Sequence, residues 1–243
     1  MGNLSRLQLP NYKITQLPNN DAIIRKTVGI PRTRLGIKEE RRYNFPMATT
    51  IESLPYAEVA RRPLNADECM LAVIDIQQKL LPPIWENERL VRNSQLLIRL
   101  ANILSIPILV TTQYAKGLGP TVTEISSLLP GVEPLDKLEF GCFGNGAFCS
   151  SVTAKVGRNT LLLCGMETHI CVMQTALGAL REGYLVHVAS DAVSSRTELN
   201  WRIGLDRMRA AGAILSSTEM MIYELLRSSG TPAFRELLPY LKG

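Results

Sequence analysis

The stretch NTLLLCGMETHICVMQTALGALREGYLVHVAS, residues 159–190, holds a complete strand–helix–strand unit. Its first eight residues are an apolar run bounded by polar ones, the pattern of a strand buried on both faces. From His169 to Glu182 the apolar residues adopt helical spacing. Gly183 then stands where a helix ends in a left-handed turn, and YLVHVAS returns to a short apolar run. A crossover of this kind is right-handed and belongs to a parallel sheet covered by helices on both faces. Cys171 falls where the first strand hands over to the helix, so the stretch poses a chemical question as well as a topological one.

The alternation extends in both directions from this unit. Upstream, MLAVIDIQ (70–77) and IPILVTTQY (106–114) predict strands. ENERLVRNSQLLIRLANIL (86–104) predicts a helix, with Leu90, Leu97, Ala101 and Leu104 on one arc and Arg92, Gln95, Arg99 and Asn102 opposite. TEISSLL (123–129) and NGAFCSSVTAKV (145–156) predict further helices. Downstream, ELNWRIGLDRMRAA (198–211) predicts a helix ending at Gly212, AILS (213–216) a strand and TEMMIYELLRS (218–228) a helix. One α/β domain over residues 69–230 follows, with a separate segment at 1–50 and a C-terminal helix or tail at 231–243.

With 243 residues, 46% of them hydrophobic and 20% charged, the chain has globular proportions and the length for one large core. No apolar run approaches the ~20 residues of a membrane helix, and the polar, basic start lacks a signal peptide's apolar segment. The expectation is a soluble cytoplasmic protein with no membrane partner. MGNLSR carries Arg6 where a myristoylation motif wants Ser or Thr. Five cysteines without a CxxC pair predict free thiols in a reducing compartment, most of them small buried hydrophobes.

The formal charge of +5 is concentrated in residues 1–46, where Arg6, Lys13, Arg25, Lys26, Arg32, Arg34, Lys38, Arg41 and Arg42 face only Asp21, Glu39 and Glu40. The rest of the chain is close to neutral. Four prolines, and no aromatic interleaving of the kind that stacks bases, suit a flexible arm better than a nucleic-acid-binding tail. An RNA, membrane or partner contact through this arm stays open, as does a natural start at Met47.

In an open parallel sheet the ligand site lies beyond the carboxyl ends of the strands. Three reactive side chains fall there. Asp75 interrupts LAVIDIQ, where a buried carboxylate needs a partner or else caps the following loop. Lys137, in EPLDKLEFGCFGN, is either a solvated loop lysine or that partner. Cys171 is either a structural thiol or one whose pKa is lowered by the helix end and a neighbouring lysine.

Asp75 in VIDIQ, Lys137 in a K-x-x-F segment and Cys171 in G-x-E-T-x-x-C resemble the Asp–Lys–Cys triad of the isochorismatase-like cysteine hydrolases. The likeness covers residues 71–226. TTQYAKGLGPTV, VHVASDAVSSR and RMRAAGAILSSTEMMIYELL are most similar to the isochorismatase domain-containing subgroup. The resemblance implies a three-layer αβα, Rossmann-like fold with a six-stranded, mostly parallel sheet. It also implies a metal-independent hydrolase, in which Asp75 takes the proton of Cys171 and the sulfur attacks an amide, ureide or related carbonyl to give an acyl-enzyme. Lys137 would hold Asp75. A cis peptide at Met166–Glu167 would turn the backbone N–H groups of Glu167 and Cys171 toward the oxyanion. An oligomer, at least a dimer, is implied as well.

TTQYAKGLGP lacks the Asp and His of a family metal cluster, and His169 and His187 suit local structural roles, so no metal is expected. Without a G-x-G-x-x-G or a Walker spacing no nucleotide cofactor is expected either. Gln113, Tyr114, Thr168 and His169 are candidate substrate contacts. Two other functions stand beside the hydrolase: a scaffold that has kept the fold, and a redox thiol with Cys164 as its resolving partner.

Overall fold

The computed structural model describes Glu58 and residues 60–242; the basic segment at 1–50, with Arg6 and Met47, lies outside them. Six strands form one sheet: β1 (Cys69–Ile74), β2 (Ile108–Gln113), β3 (Leu135–Lys137), β4 (Thr160–Met166), β5 (Leu185–Ser194) and β6 (Ile214–Ser216). Their order is β3-β2-β1-β4-β5-β6, and every ladder is parallel.

Strict alternation along the central strands creates the three layers. Cys69, Leu71 and Val73 of β1, with Leu162, Cys164 and Met166 of β4, join one buried cluster. Met70, Ala72 and Ile74, with Leu161 and Leu163, join the other. Helices α1 (Asn87–Ile103), α5 (Thr218–Leu226) and α6 (Pro232–Leu241) cover the first face. Helices α2 (Gly146–Thr153), α3 (Met173–Arg181) and α4 (Glu198–Ala210) cover the second. Each fully buried Leu, Ile or Val contributes roughly 1.5–3 kcal/mol of transfer free energy, so two faces filled this way hold the sheet between the layers.

Local signals set the helix ends. Asn145, Thr197, Ser217 and Thr231 cap α2, α4, α5 and α6 through their side chains. Gly183 (φ +84°) and Gly212 (φ +104°) supply the left-handed turns anticipated from sequence. The segment after residue 231 is a helix rather than a tail, and it belongs to the domain: Leu237 is fully buried, and the Arg99 guanidinium of α1 lies 3.9 Å from the Tyr240 ring centroid. No helix among the described residues is long and apolar enough to cross a membrane.

Three departures from the sequence reading matter for the site. The first strand ends at Ile74 rather than Gln77, because Asp75 adopts a left-handed backbone, φ +53°. β5 runs four residues past Ser190, and the β4–β5 register shifts between Leu163 and Gly165 to allow it. β3 escaped the periodicity altogether, since three residues reading Leu-Asp-Lys make no apolar run.

The chain leaves β1 toward β2 and leaves β4 toward β5, so the two central neighbours open a crevice at their carboxyl ends. Gly165 lets them close tightly below it. A Cβ at this position would stand 2.1 Å from the Ile74 carbonyl oxygen, on a backbone of φ +117°.

Candidate active site

Asp75 is the first residue beyond β1 and is fully buried. Its N–H donates to the Thr111 carbonyl at 3.2 Å. Its Oδ2 accepts from Lys137 Nζ at 2.7 Å, and its Oδ1 accepts from the Thr111 hydroxyl at 2.7 Å. Lys137 ends β3 with 2% of its surface exposed, so it is a buried cation and not a solvated loop residue. Its ammonium also donates to Gln113 Oε1 at 2.8 Å. Burial by itself would lower the Lys137 pKa; the Asp75 carboxylate, aided by the Cys171 and Cys142 thiols, carries it above the ordinary lysine value and keeps it charged.

Cys171 lies in a π-helical turn, Thr168–Val172, that joins β4 to α3. Such single π turns recur at functional positions. Here the Val172 N–H reaches back to the Glu167 carbonyl at 3.2 Å. The Met166–Glu167 peptide is cis. Helix α4 presses directly on the turn through Gly204, where a Cβ would sit 3.0 Å from the His169 Cα. The thiol lies beside Asp75. Burial first, and the Asp75 carboxylate second, push its pKa well above the ordinary range, with Lys137 pulling only partly the other way. The expected lowering at a helix N-terminus is therefore corrected: the resting group is a thiol, and it needs a base to become a nucleophile.

Other anticipated residues separate into distinct roles. The Gln113 side chain is committed to Lys137 and to the Leu138 carbonyl (2.9 Å), so it positions the ammonium. Tyr114 is half exposed. Thr168 is fully buried, and its Oγ1 has no hydrogen-bond partner among the described residues. His169 Nδ1 lies 3.0 Å from Ser195 Oγ, and burial lowers its pKa against the pull of Glu167, leaving it neutral at pH 7. The Glu167 carboxylate accepts from the Arg196 N–H (3.0 Å) and Nε (3.1 Å) and ties the turn to the loop after β5.

Several participants went unnoticed in the sequence. The buried Gln77 carboxamide acts as a short strand edge: it accepts from the Gln113 N–H at 2.7 Å and donates to the Gln113 carbonyl at 3.2 Å. Thr175 accepts from the Cys142 N–H at 3.0 Å and donates to the Cys171 carbonyl at 2.7 Å, linking the loop after β3 to the Cys171 turn. Thr111 is the third. Its hydroxyl partner, Asp75, lies just beyond the end of the neighbouring strand, and pairing β1 with β2 brings the two together. Among the described residues no three His, Cys, Asp or Glu side chains converge as metal ligands would.

The chain as a whole has counterparts among known proteins. A family model for the isochorismatase domain matches residues 69–220. The chain is 38% identical over 176 residues to the secreted isochorismatase effector Isc1 of Phytophthora sojae, covering 71% of this chain and 84% of that one. It is 35% identical over 176 residues to isochorismatase domain-containing protein 2A of Mus musculus, covering 72% and 84%. The MAR1 ribonuclease from Caenorhabditis elegans superposes with a TM-score of 0.70 at 34% identity, over 75% of this chain and 93% of that one. The YcaC gene product of Escherichia coli, an octameric hydrolase of unknown specificity, superposes with a TM-score of 0.68 at 27% identity, over 74% and 93%.

Proposed function

The chain belongs to the isochorismatase family, and from that footing we propose that it is a metal-independent hydrolase of a small amide, ureide or related C–N bond, with Cys171 as nucleophile. The supporting observation is the buried Lys137–Asp75 pair, 2.7 Å apart, set beside a thiol with a raised pKa. Removing two charges from water costs several kcal/mol per ion before pairing repays it. Asp75, ionised and fixed, accepts the Cys171 proton as sulfur attacks the carbonyl carbon. The oxyanion forms against the backbone N–H groups of Glu167 and Cys171. As the C–N bond breaks, the protonated Asp75 gives its proton to the leaving nitrogen, and a thioester remains. Water then attacks the thioester with Asp75 as base; the acid departs and the thiol is restored.

Lys137 takes no proton in this sequence. It holds the carboxylate in place. A phosphodiester substrate, suggested by the ribonuclease name of the C. elegans neighbour, fits less well, because the buried ammonium is already committed to Asp75 and Gln113. A homo-oligomer belongs to the same proposal, supported by the octameric E. coli neighbour. A reducing intracellular location suits five buried free thiols, and the secreted Phytophthora relative represents the alternative.

The test is intact-protein mass spectrometry after acid quench, run across a panel of small primary amides and ureides. An acyl adduct mapping to Cys171, formed and lost at the turnover rate, is the expected result. Turnover that persists in Cys171→Ala would overturn the proposal.

A further inference from the structure

Building on the cysteine-hydrolase reading, we infer that Thr111 is a positioning residue for the general base, fixing the Asp75 carboxylate in the orientation that meets the thiol. Two contacts from one residue hold Asp75. The Thr111 carbonyl accepts its N–H at 3.2 Å, and the Thr111 hydroxyl donates to Oδ1 at 2.7 Å. Lys137 holds the other oxygen, Oδ2. A carboxylate gripped at both oxygens by buried donors has no freedom to rotate about its Cβ–Cγ bond.

The direction of the Thr111 hydroxyl is dictated by chemistry. An ionised carboxylate has no proton to give, so the hydroxyl must be the donor. Its own oxygen then faces Cys142 Sγ, a weak thiol donor at 4.0 Å. Thr111 is 1% exposed and paired with Ile74 across the β1–β2 ladder. Its β-branch restricts χ1, so the hydroxyl is held toward β1. Neither water nor substrate is required to complete the arrangement.

A residue acting through Asp75 loses its influence once Asp75 no longer carries charge. The experiment compares second-order rates of Cys171 carbamidomethylation by iodoacetamide, read by peptide mass spectrometry across mildly alkaline pH. The proteins are wild type, Thr111→Val, Thr111→Ser, Asp75→Asn and the Asp75→Asn/Thr111→Val double variant. In Thr111→Val the carboxylate regains rotation and turns from the thiol, so its field there weakens and alkylation quickens by roughly tenfold, toward the Asp75→Asn rate, while Thr111→Ser stays near wild type. In the Asp75→Asn background the same Val substitution changes nothing. Equal Val effects in both backgrounds, or none in wild type, would overturn the inference while leaving the triad intact. No effect of Asp75→Asn itself would instead remove the hydrolase reading, and this inference with it. Matching thermal midpoints for the Val and Ser variants separate positioning from loss of fold.

Discussion

The interior of β4 and the turn beyond it hold two cysteines seven residues apart, and chemically they have little in common. Cys164 faces the α1 layer, its Sγ 3.8 Å from the Ala72 carbonyl, and burial pushes its pKa to about 12. Cys171 is also buried and also raised, but it shares its surroundings with a carboxylate and an ammonium. Burial makes a thiol inert in both places. The difference is the carboxylate and the ammonium beside Cys171, which under the proposed mechanism serve as the base and its anchor.

That contrast can be broken in several ways. The largest effect belongs to Cys171→Ala, which abolishes acyl capture and lowers turnover by at least about a thousandfold; intact-mass and rate assays measure it. Next comes Lys137→Met. It strands the Asp75 charge in the interior and lowers stability by about 3–5 kcal/mol in urea titration, whereas Arg181→Ala, breaking an exposed pair with Glu182, changes it by less than ~0.5 kcal/mol.

A smaller effect concerns His187, another buried titratable group distant in role from the triad. Its Nδ1 lacks a partner among the described residues, and burial lowers its pKa from 6.5 to about 4. Because the folded pKa is depressed, the unfolded chain binds the proton first. The stabilising contribution is complete above about pH 6.5 and is lost as pH falls toward 4, a change of about 3 kcal/mol. Thermal midpoints across that window should show a shallower acid slope in His187→Leu. The smallest effect is that of Cys164→Ala, which costs about 1 kcal/mol and leaves turnover unaltered; a measurable loss of turnover would mean that the strand thiol takes part after all.

Much of this was legible in the sequence because the signals are local. Apolar runs gave five strands, and glycines 183 and 212 marked helix ends. Asp75 and Cys171 were legible at the ends of apolar runs, and Lys137 only in the segment between the second and third of them. β3 was hidden because an edge strand of three residues carries no periodicity, so Lys137 looked like a loop residue. The thiol's electrostatics escape a local reading for a related reason. The helix end is a local feature, while the burial that raises the thiol's pKa, and after it the carboxylate arriving across the sheet, come from long-range packing. Thr111, Thr175 and Gln77 are ordinary polar residues in sequence and acquire meaning only through long-range pairing.

The most direct test of the central claim is a sign. Rates of Cys171 alkylation by iodoacetamide at one mildly alkaline pH, measured in wild type, Asp75→Asn and Lys137→Met, report the charge environment of the thiol. Alkylation is expected to quicken in Asp75→Asn, where the opposing charge is gone and Lys137 remains, together with loss of turnover. A slower reaction is expected in Lys137→Met. Shifts in the same direction, or no shift in either variant, would contradict a thiol poised between a base and its cation.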